Sequence, residues 1–154
     1  MIDPPNDEYF MREALRMAQK AYDANEVPVG AVVVHEGRII ARACNQVELL
    51  KDATAHAEML ALTQAEAAVG DWRLIDCDLY VTKEPCAMCA GAVVHTRVRR
   101  VIFGCADPSA GAAGSVMNPS SNAFNRQFKS RSKAFFRAAG NVIEKHESHG
   151  PNCV

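Results

Sequence analysis

The chain has 154 residues, 49% hydrophobic and 23% charged, with a formal net charge of −1. That is the make-up of a globular protein, and residues 1–154 are expected to form a single domain around one core. The longest apolar runs, Val29–Val34 and Ala87–Val94, fall far short of the ~20 residues that span a bilayer. The opening Met1-Ile2-Asp3-Pro4-Pro5 has no basic-then-apolar signal pattern, so a cytoplasmic location without a membrane partner is expected.

The small net charge hides an asymmetry. Residues 1–96 carry 8 Lys and Arg against 15 Asp and Glu, whereas residues 97–137 carry 8 against Asp107 alone. A segregated basic segment suits a phosphate-backbone partner; the plainer reading is a solvated helix face.

In chain order, Asn6 is placed to cap a first helix, with Asp7 and Glu8 in its first turn. Phe10, Ala14, Met17, Ala18 and Ala21 recur at helical spacing and read as core, with the helix ending near Ala24. Val27–Val34 reads as a buried strand with Pro28 at its start. Glu36-Gly37 turns it into an antiparallel partner, Arg38–Cys44, and Asn45 ends the hairpin. A second helix is expected from Thr54 to Val69, with Gly70 as its left-handed cap. Asp78–Thr82 reads as a third strand. Pro85 fits the first turn of a third helix, apolar on all sides and expected to be buried. Arg97–Phe103 reads as a fourth strand. Asp107–Ser121 is rich in Gly, Ala, Ser and Pro and reads as a loop. A last helix is expected to carry Phe124, Phe128 and Phe135 on one face and to end by Gly140. This order implies an α/β fold, a three-layer α/β/α arrangement of a mixed central sheet with helices on both faces. Its crossovers bring the starts of the second and third helices to the carboxyl ends of neighbouring strands.

Those two starts carry the chemistry. Thr54-Ala55-His56-Ala57-Glu58 and Glu84-Pro85-Cys86-Ala87-Met88-Cys89 together offer one nitrogen and two sulfur ligands. That set suits zinc and leaves its fourth tetrahedral position free. A helix amino terminus and the ion both favour thiolates, and a site so composed polarises water into a nucleophile. Glu58, two residues from His56, is placed to move that water's proton without being a ligand. The reaction that uses these parts is hydrolytic deamination of an amino-substituted heterocycle. Three plainer readings stand beside it: a closed structural zinc with Cys44 or Cys105 as fourth ligand, a redox Cys-x-x-Cys pair, and a core histidine. Cys44, Cys77 and Cys105 otherwise read as small buried hydrophobes.

His56-Ala57-Glu58 with Pro85-Cys86-Ala87-Met88-Cys89 matches an established signature of zinc deaminases acting on nucleobases. On it the chain resembles the zinc-dependent cytidine deaminase-like superfamily, and within it the tRNA-specific adenosine deaminases. Val27-Pro28-Val29-Gly30-Ala31, Asn45, Arg73-Leu74-Ile75-Asp76, Cys89-Ala90-Gly91-Ala92, Phe103-Gly104 and Gly111-Ala112-Ala113-Gly114-Ser115 look like further blocks of that family, so the likeness spans roughly residues 7–118. The resemblance implies a homodimer with one Zn2+ per subunit, converting adenosine to inosine at the wobble position of a tRNA anticodon stem-loop. It implies His56, Cys86 and Cys89 as ligands and Glu58 as proton shuttle. It also implies substrate contacts at Asn45, Val29, Ala57, Pro85 and Asp107, the last to the ribose of a neighbouring nucleotide.

The family continues past Asn118 with a segment and a helix bearing Phe-Phe-Arg. Here Ser132-Lys133-Ala134-Phe135-Phe136-Arg137 is similar to that end but arrives after a shorter interval. RNA contacts are expected from Arg126, Lys129, Arg131, Lys133, Phe135 and Arg137. The tail Asn141–Val154 has no counterpart there; His146, His149 and Cys153 in it read as a second metal site or, more plainly, as a mobile end. A deaminase of free guanine or cytosine, and a non-catalytic zinc-containing RNA-binding module, are the alternatives.

Overall fold

The structure is a computed structural model that describes residues 6–117 and, by their backbone, 128–130. Helix α1 is Asp7–Asp23, with Asn6 at its N-cap accepting from the Tyr9 N–H. Strands β1, Gly30–His35, and β2, Arg38–Cys44, form the antiparallel hairpin. Both turn residues, Glu36 and Gly37, have positive φ, as a tight two-residue hairpin turn requires. A short helix α2, Val47–Leu50, precedes α3, Ala57–Val69. Strand β3 is Cys77–Lys83, α4 is Ala87–His95, β4 is Arg100–Cys105 and β5 is Phe128–Ser130.

The strands order as β2-β1-β3-β4-β5, with β1 antiparallel to both its neighbours and β3, β4 and β5 parallel. Period-two alternation divides the core in two. Ala31, Val33, Leu79, Val81, Val101 and Phe103 pack on one face with Ala57, Ala61, Leu62 and Ala65 of α3 and Val93 of α4. Val32, Val34, Tyr80 and Ile102 meet Phe10, Met11 and Ala14 of α1 on the other. A Cβ at Gly30 would collide with the backbone of Ala14 and Ala18; glycine there lets α1 lie against the start of β1.

The mixed sheet covered on both faces is as expected, and several boundaries move. Val27–Val29 precede β1 rather than forming its start, and β4 begins three residues after Arg97, which has positive φ. Helix α3 starts at Ala57 instead of Thr54, and Pro85 lies just before the Cys86 N-cap rather than within α4. The strands that lead to α3 and α4 are not neighbours, because β1 lies between β2 and β3. Phe128–Ser130 pair in parallel with Val101–Phe103, so a helix does not run through Phe128. A helical reading of three phenylalanines spaced by four and seven fails where a sheet edge supplies backbone partners. Helix α4 is not buried all round: Cys89, Ala90 and Val93 are, whereas Met88, Gly91, Ala92 and Val94 are half-buried and Ala87 and His95 exposed.

Two cations of the basic segment are already committed. Arg99 and Arg100 both pair with the buried Asp78 carboxylate, and Arg100 also reaches Asp7 and the Tyr80 hydroxyl. Asp78 sits near the start of β3, about 17 Å along the strand from Lys83 at ~3.3 Å per residue. Their charge therefore lies at the far end of the sheet from the site described next.

Candidate active site

The two sequence signatures meet at the ends of the helices they begin. His56 and Cys86 are the N-cap residues of α3 and α4, both with extended backbone. Neither side chain caps its helix, a role normally filled by Ser, Thr, Asp or Asn and worth about 1 kcal/mol. Both are instead turned toward each other. His56 Nδ1 lies 3.7 Å from Cys86 Sγ and 3.6 Å from Cys89 Sγ, and the three ligand atoms fall within 4.8 Å of one another.

Zinc fits that triangle. Zn–S and Zn–N bonds of ~2.3 and ~2.0 Å at tetrahedral angles put nitrogen and sulfur about 3.6 Å apart. Neither Cys44 nor Cys105 joins the cluster among the described residues, which disfavours a closed structural site. Cys77 is buried as expected, but Cys44 and Cys105 are only half-buried.

The electrostatics follow from the closeness of these groups. Hydrogen bonds from the Cys89 thiol and from His56 hold Cys86 down to about 3. Cys89 is pushed up because it donates to Cys86 and because it is buried. The two sulfurs thus share one proton. His56 is raised, chiefly by its bond to Cys86. Glu58, in the first turn of α3 and 4% exposed, is pushed up to about 7 by burial, against the pull of its own N–H and of His56. A carboxyl poised near neutrality is what a proton shuttle requires.

The surrounding residues form two struts. Asn45 is 5% exposed; its N–H donates to the Val29 carbonyl and its Nδ2 to Glu26. The Gln46 N–H donates to the Ala55 carbonyl, which ties the end of β2 to the residue before His56. Ala57 and Pro85 are buried, and the Pro85 carbonyl accepts from the Ala112 N–H.

On the other side the segment after β4 folds over Cys86, with a single bridge from Cys86 to Gly111. Asp107 is buried here: Oδ1 accepts from the Ser109 N–H and hydroxyl and the Ala110 N–H, and Oδ2 pairs with Lys83 at 3.0 Å. Burial would raise its carboxyl, but Ser109 and Lys83 hold it down to about 2. Glu84, 3% exposed, gathers the Asp107, Ala113 and Ser115 N–H groups and the Ser115 hydroxyl. A Cβ on Gly111 would collide with that carboxylate. The sequence reading gave a role to neither Glu26 nor Glu84, although Glu84 opens the second signature. An acidic residue at the edge of a signature is the signal that marks both, since a carboxylate enters a core only with donors to satisfy it.

Lys129 lies on β5 opposite Ile102. Arg126, Arg131, Lys133, Phe135 and Arg137, with His146, His149 and Cys153, fall outside the described residues.

Comparison with known proteins accords with this geometry. The chain is 54% identical over 112 residues to the tRNA-specific adenosine deaminase of Bacillus subtilis (strain 168), covering 73% of this chain and 70% of that protein. It is 56% identical over 109 residues to the chloroplastic tRNA(adenine(34)) deaminase of Arabidopsis thaliana, 71% of this chain but 8% of that much longer protein. Among solved structures, one from studies of A-to-I editing by tRNA:A34 deaminases superposes with a TM-score of 0.80 at 40% identity, over 88% of this chain and 99% of that one. A guanine deaminase from Nitrosomonas europaea also gives 0.80, at 25% identity over 93% of this chain and 85% of that one. Residues 4–105, which hold all three ligands and Glu58, match the cytidine and deoxycytidylate deaminase zinc-binding region, and the chain belongs to that family.

Proposed function

We propose that the chain is a zinc-dependent hydrolase that deaminates adenosine to inosine at the wobble position of a tRNA anticodon. The observation that carries this reading is the His56, Cys86 and Cys89 triangle with a buried Glu58 beside it. It occurs in a chain about half identical to proteins named for that activity. His56, Cys86 and Cys89 would hold the ion, which when bound supplies Lewis acidity that makes water nucleophilic near neutral pH.

Glu58 performs the proton chemistry. A carboxylate oxygen takes the proton of the attacking water and passes it to the ring nitrogen beside the amino-bearing carbon. That carbon becomes tetrahedral, and Glu58 then moves the water's second proton to the exocyclic amine, which leaves as ammonia. The water oxygen stays on the ring as the carbonyl of inosine, so one water is consumed per ammonia released. Asn45, beside Val29, binds the nucleoside. Ala57 and Pro85 line the pocket on either side of the ligands. Asp107 meets a neighbouring ribose through Oδ2, which has a lone pair besides the one directed at Lys83.

The basic residues Arg126, Lys129, Arg131, Lys133 and Arg137, with Phe135, supply phosphate attraction and stacking for the stem-loop. The half-buried apolar side of α4 supports a homodimer across Met88, Gly91, Ala92 and Val94; light scattering that reads one chain per particle would sink it. Among the described residues no helix is long and apolar enough to cross a membrane. Thiols that must stay reduced to bind zinc fit a cytoplasmic location.

The deciding experiment incubates the protein with an anticodon stem-loop and, separately, with free guanine, cytosine and adenosine, and reads the products by mass. Inosine in the stem-loop at a rate above any free base supports the proposal. Faster turnover of free guanine, the activity of one structural relative, would overturn it.

A further inference from the structure

Glu26 sits between α1 and β1, is 3% exposed, and has its own N–H bound to the Ala21 carbonyl. Its carboxylate is met by three donors. Oε1 accepts from the Leu49 N–H at 2.8 Å, and Oε2 accepts from the Glu48 N–H and from Asn45 Nδ2, each at 3.2 Å. A primary amide has two orientations of nearly equal shape, differing in which atom is the donor. A group that already accepts from two backbone N–H donors can only face the donor end. Asn45 is therefore held with Nδ2 toward Glu26, while its Oδ1 has no hydrogen-bond partner among the described residues. In a residue 5% exposed, an unpartnered carbonyl is costly unless a ligand completes it.

We propose that Glu26 is a positioning residue for base recognition. It fixes the polarity of Asn45, so that the nucleoside meets an acceptor at Oδ1 and the second Nδ2 proton as a donor. By binding the Glu48 and Leu49 N–H groups it also holds α2 in place beside Asn45. The substrate class that follows is one presenting a donor to Oδ1, a ribose hydroxyl or an amino-bearing ring edge. An isostere with the opposite polarity at that edge is rejected, because it would leave buried polar groups unpaired. The inference rests on the nucleoside-binding role given to Asn45 above.

Glu26→Gln is the informative change, since glutamine has the same shape but one oxygen. With that oxygen on the Leu49 N–H, its amide nitrogen faces the Glu48 N–H and Asn45, and Asn45 is driven to turn its carbonyl inward. The test is a double-mutant cycle on inosine formation in the stem-loop. Asn45→Ala and Glu26→Gln are each expected to lower kcat/KM by between about tenfold and about a hundredfold, the range for a buried polar group left unpaired. The double variant should be no slower than Asn45→Ala alone, with zinc content equal in all four proteins. Multiplied losses would mean that Glu26 acts on stability and not through Asn45, and would overturn the proposal.

A substrate-free readout guards against misfolding of the variants. The two protons of any asparagine amide differ in shift; in the wild-type protein the Asn45 pair should be separated further than in a solvated asparagine, and the proton bound to Glu26 should exchange slowly with water. A separation and an exchange rate equal to those of a solvated asparagine would overturn the proposal. If the wild-type protein acts on guanine and leaves the stem-loop untouched, the tRNA reading fails. The same cycle on guanine, with the amide resonance, then decides the role of Glu26.

Discussion

At the scale of single residues, the site works by denying side chains their ordinary roles. His56 and Cys86 occupy N-cap positions yet cap nothing, so about 1 kcal/mol of helix stabilisation is forgone at each end. The ligand atoms gain a fixed triangle in exchange. Glu58 lies at a helix amino terminus, where a carboxylate is normally favoured, yet burial outweighs that and pushes it up to about 7. Two outcomes follow. Glu58→Ala should lower inosine formation by about 10²- to 10⁴-fold, the worth of a positioned acid–base group. Its zinc content, read by elemental analysis, should be unchanged because Glu58 is not a ligand; parallel loss of zinc would refute the assignment. Chelating the metal should leave one proton shared by Cys86 and Cys89 and, below its raised value, a second on His56. Zinc added back at pH 6 should therefore release at least about two protons. Calorimetry repeated in buffers of different ionisation enthalpy counts them, and a buffer-independent heat would contradict the shared-proton state.

At the scale of elements, two turns before helices and one loop after a strand make the site, and they were unequally legible. The cluster of His56, Cys86 and Cys89 could be read from spacing because metal coordination constrains neighbours in sequence. The sheet could be read because Val29–Val34 and Leu79–Val81 are apolar runs rich in β-formers, with turn or polar residues close by. Helix α2 could not, since four residues carry no period and its amino end is satisfied by Glu26, some 20 residues upstream. The loop after β4 was equally opaque. Its composition says only that it is irregular, whereas its shape comes from Glu84 and Asp107 folding backbone N–H groups inward. Glu84→Ala strips acceptors from three N–H groups and the Ser115 hydroxyl, and should cost about 2–3 kcal/mol in urea denaturation. KM should rise more than kcat falls, because the ligands stay in place; an unchanged midpoint would show that the loop holds itself. For Glu84, burial would raise the carboxyl, but Ser115 and the Asp107, Ala113 and Ser115 N–H groups bring it below the ordinary range. Asp107 lies at about 2. Groups lowered in the folded state bind fewer protons there than in the unfolded chain. Their contribution is whole above the unfolded value of about 4 and is lost as pH falls toward about 2. Wild-type protein should lose this increment in that window, and Glu84→Ala should lose less of it.

At the scale of the molecule, the charge asymmetry gains a structural meaning that composition alone conceals. Arg99 and Arg100 belong to the basic stretch by sequence but neutralise Asp78 at the far end of β3 from the ligands, with Asp7 and Tyr80 completing the cluster. They tie β3, β4 and the start of α1 together and are poorly placed to attract a phosphate at the zinc site. If the tRNA reading holds, phosphate attraction must come from Arg126, Lys129, Arg131, Lys133 and Arg137. Salt separates the two groups. Affinity for the stem-loop should fall linearly with log salt, with a slope of about −0.7 per phosphate contact if the contacts are single-stranded and about −0.9 if they lie in the stem. Replacing Arg126, Lys129, Arg131, Lys133 or Arg137 by Ala should lessen that slope by about one contact each, with little change in melting temperature. Arg99→Ala should do the reverse, lowering the melting temperature because Asp78 keeps only one of its two guanidinium partners, while leaving the salt slope intact. A slope that falls with Arg99→Ala and ignores the other five would place the RNA at the opposite end of the sheet, away from Glu58.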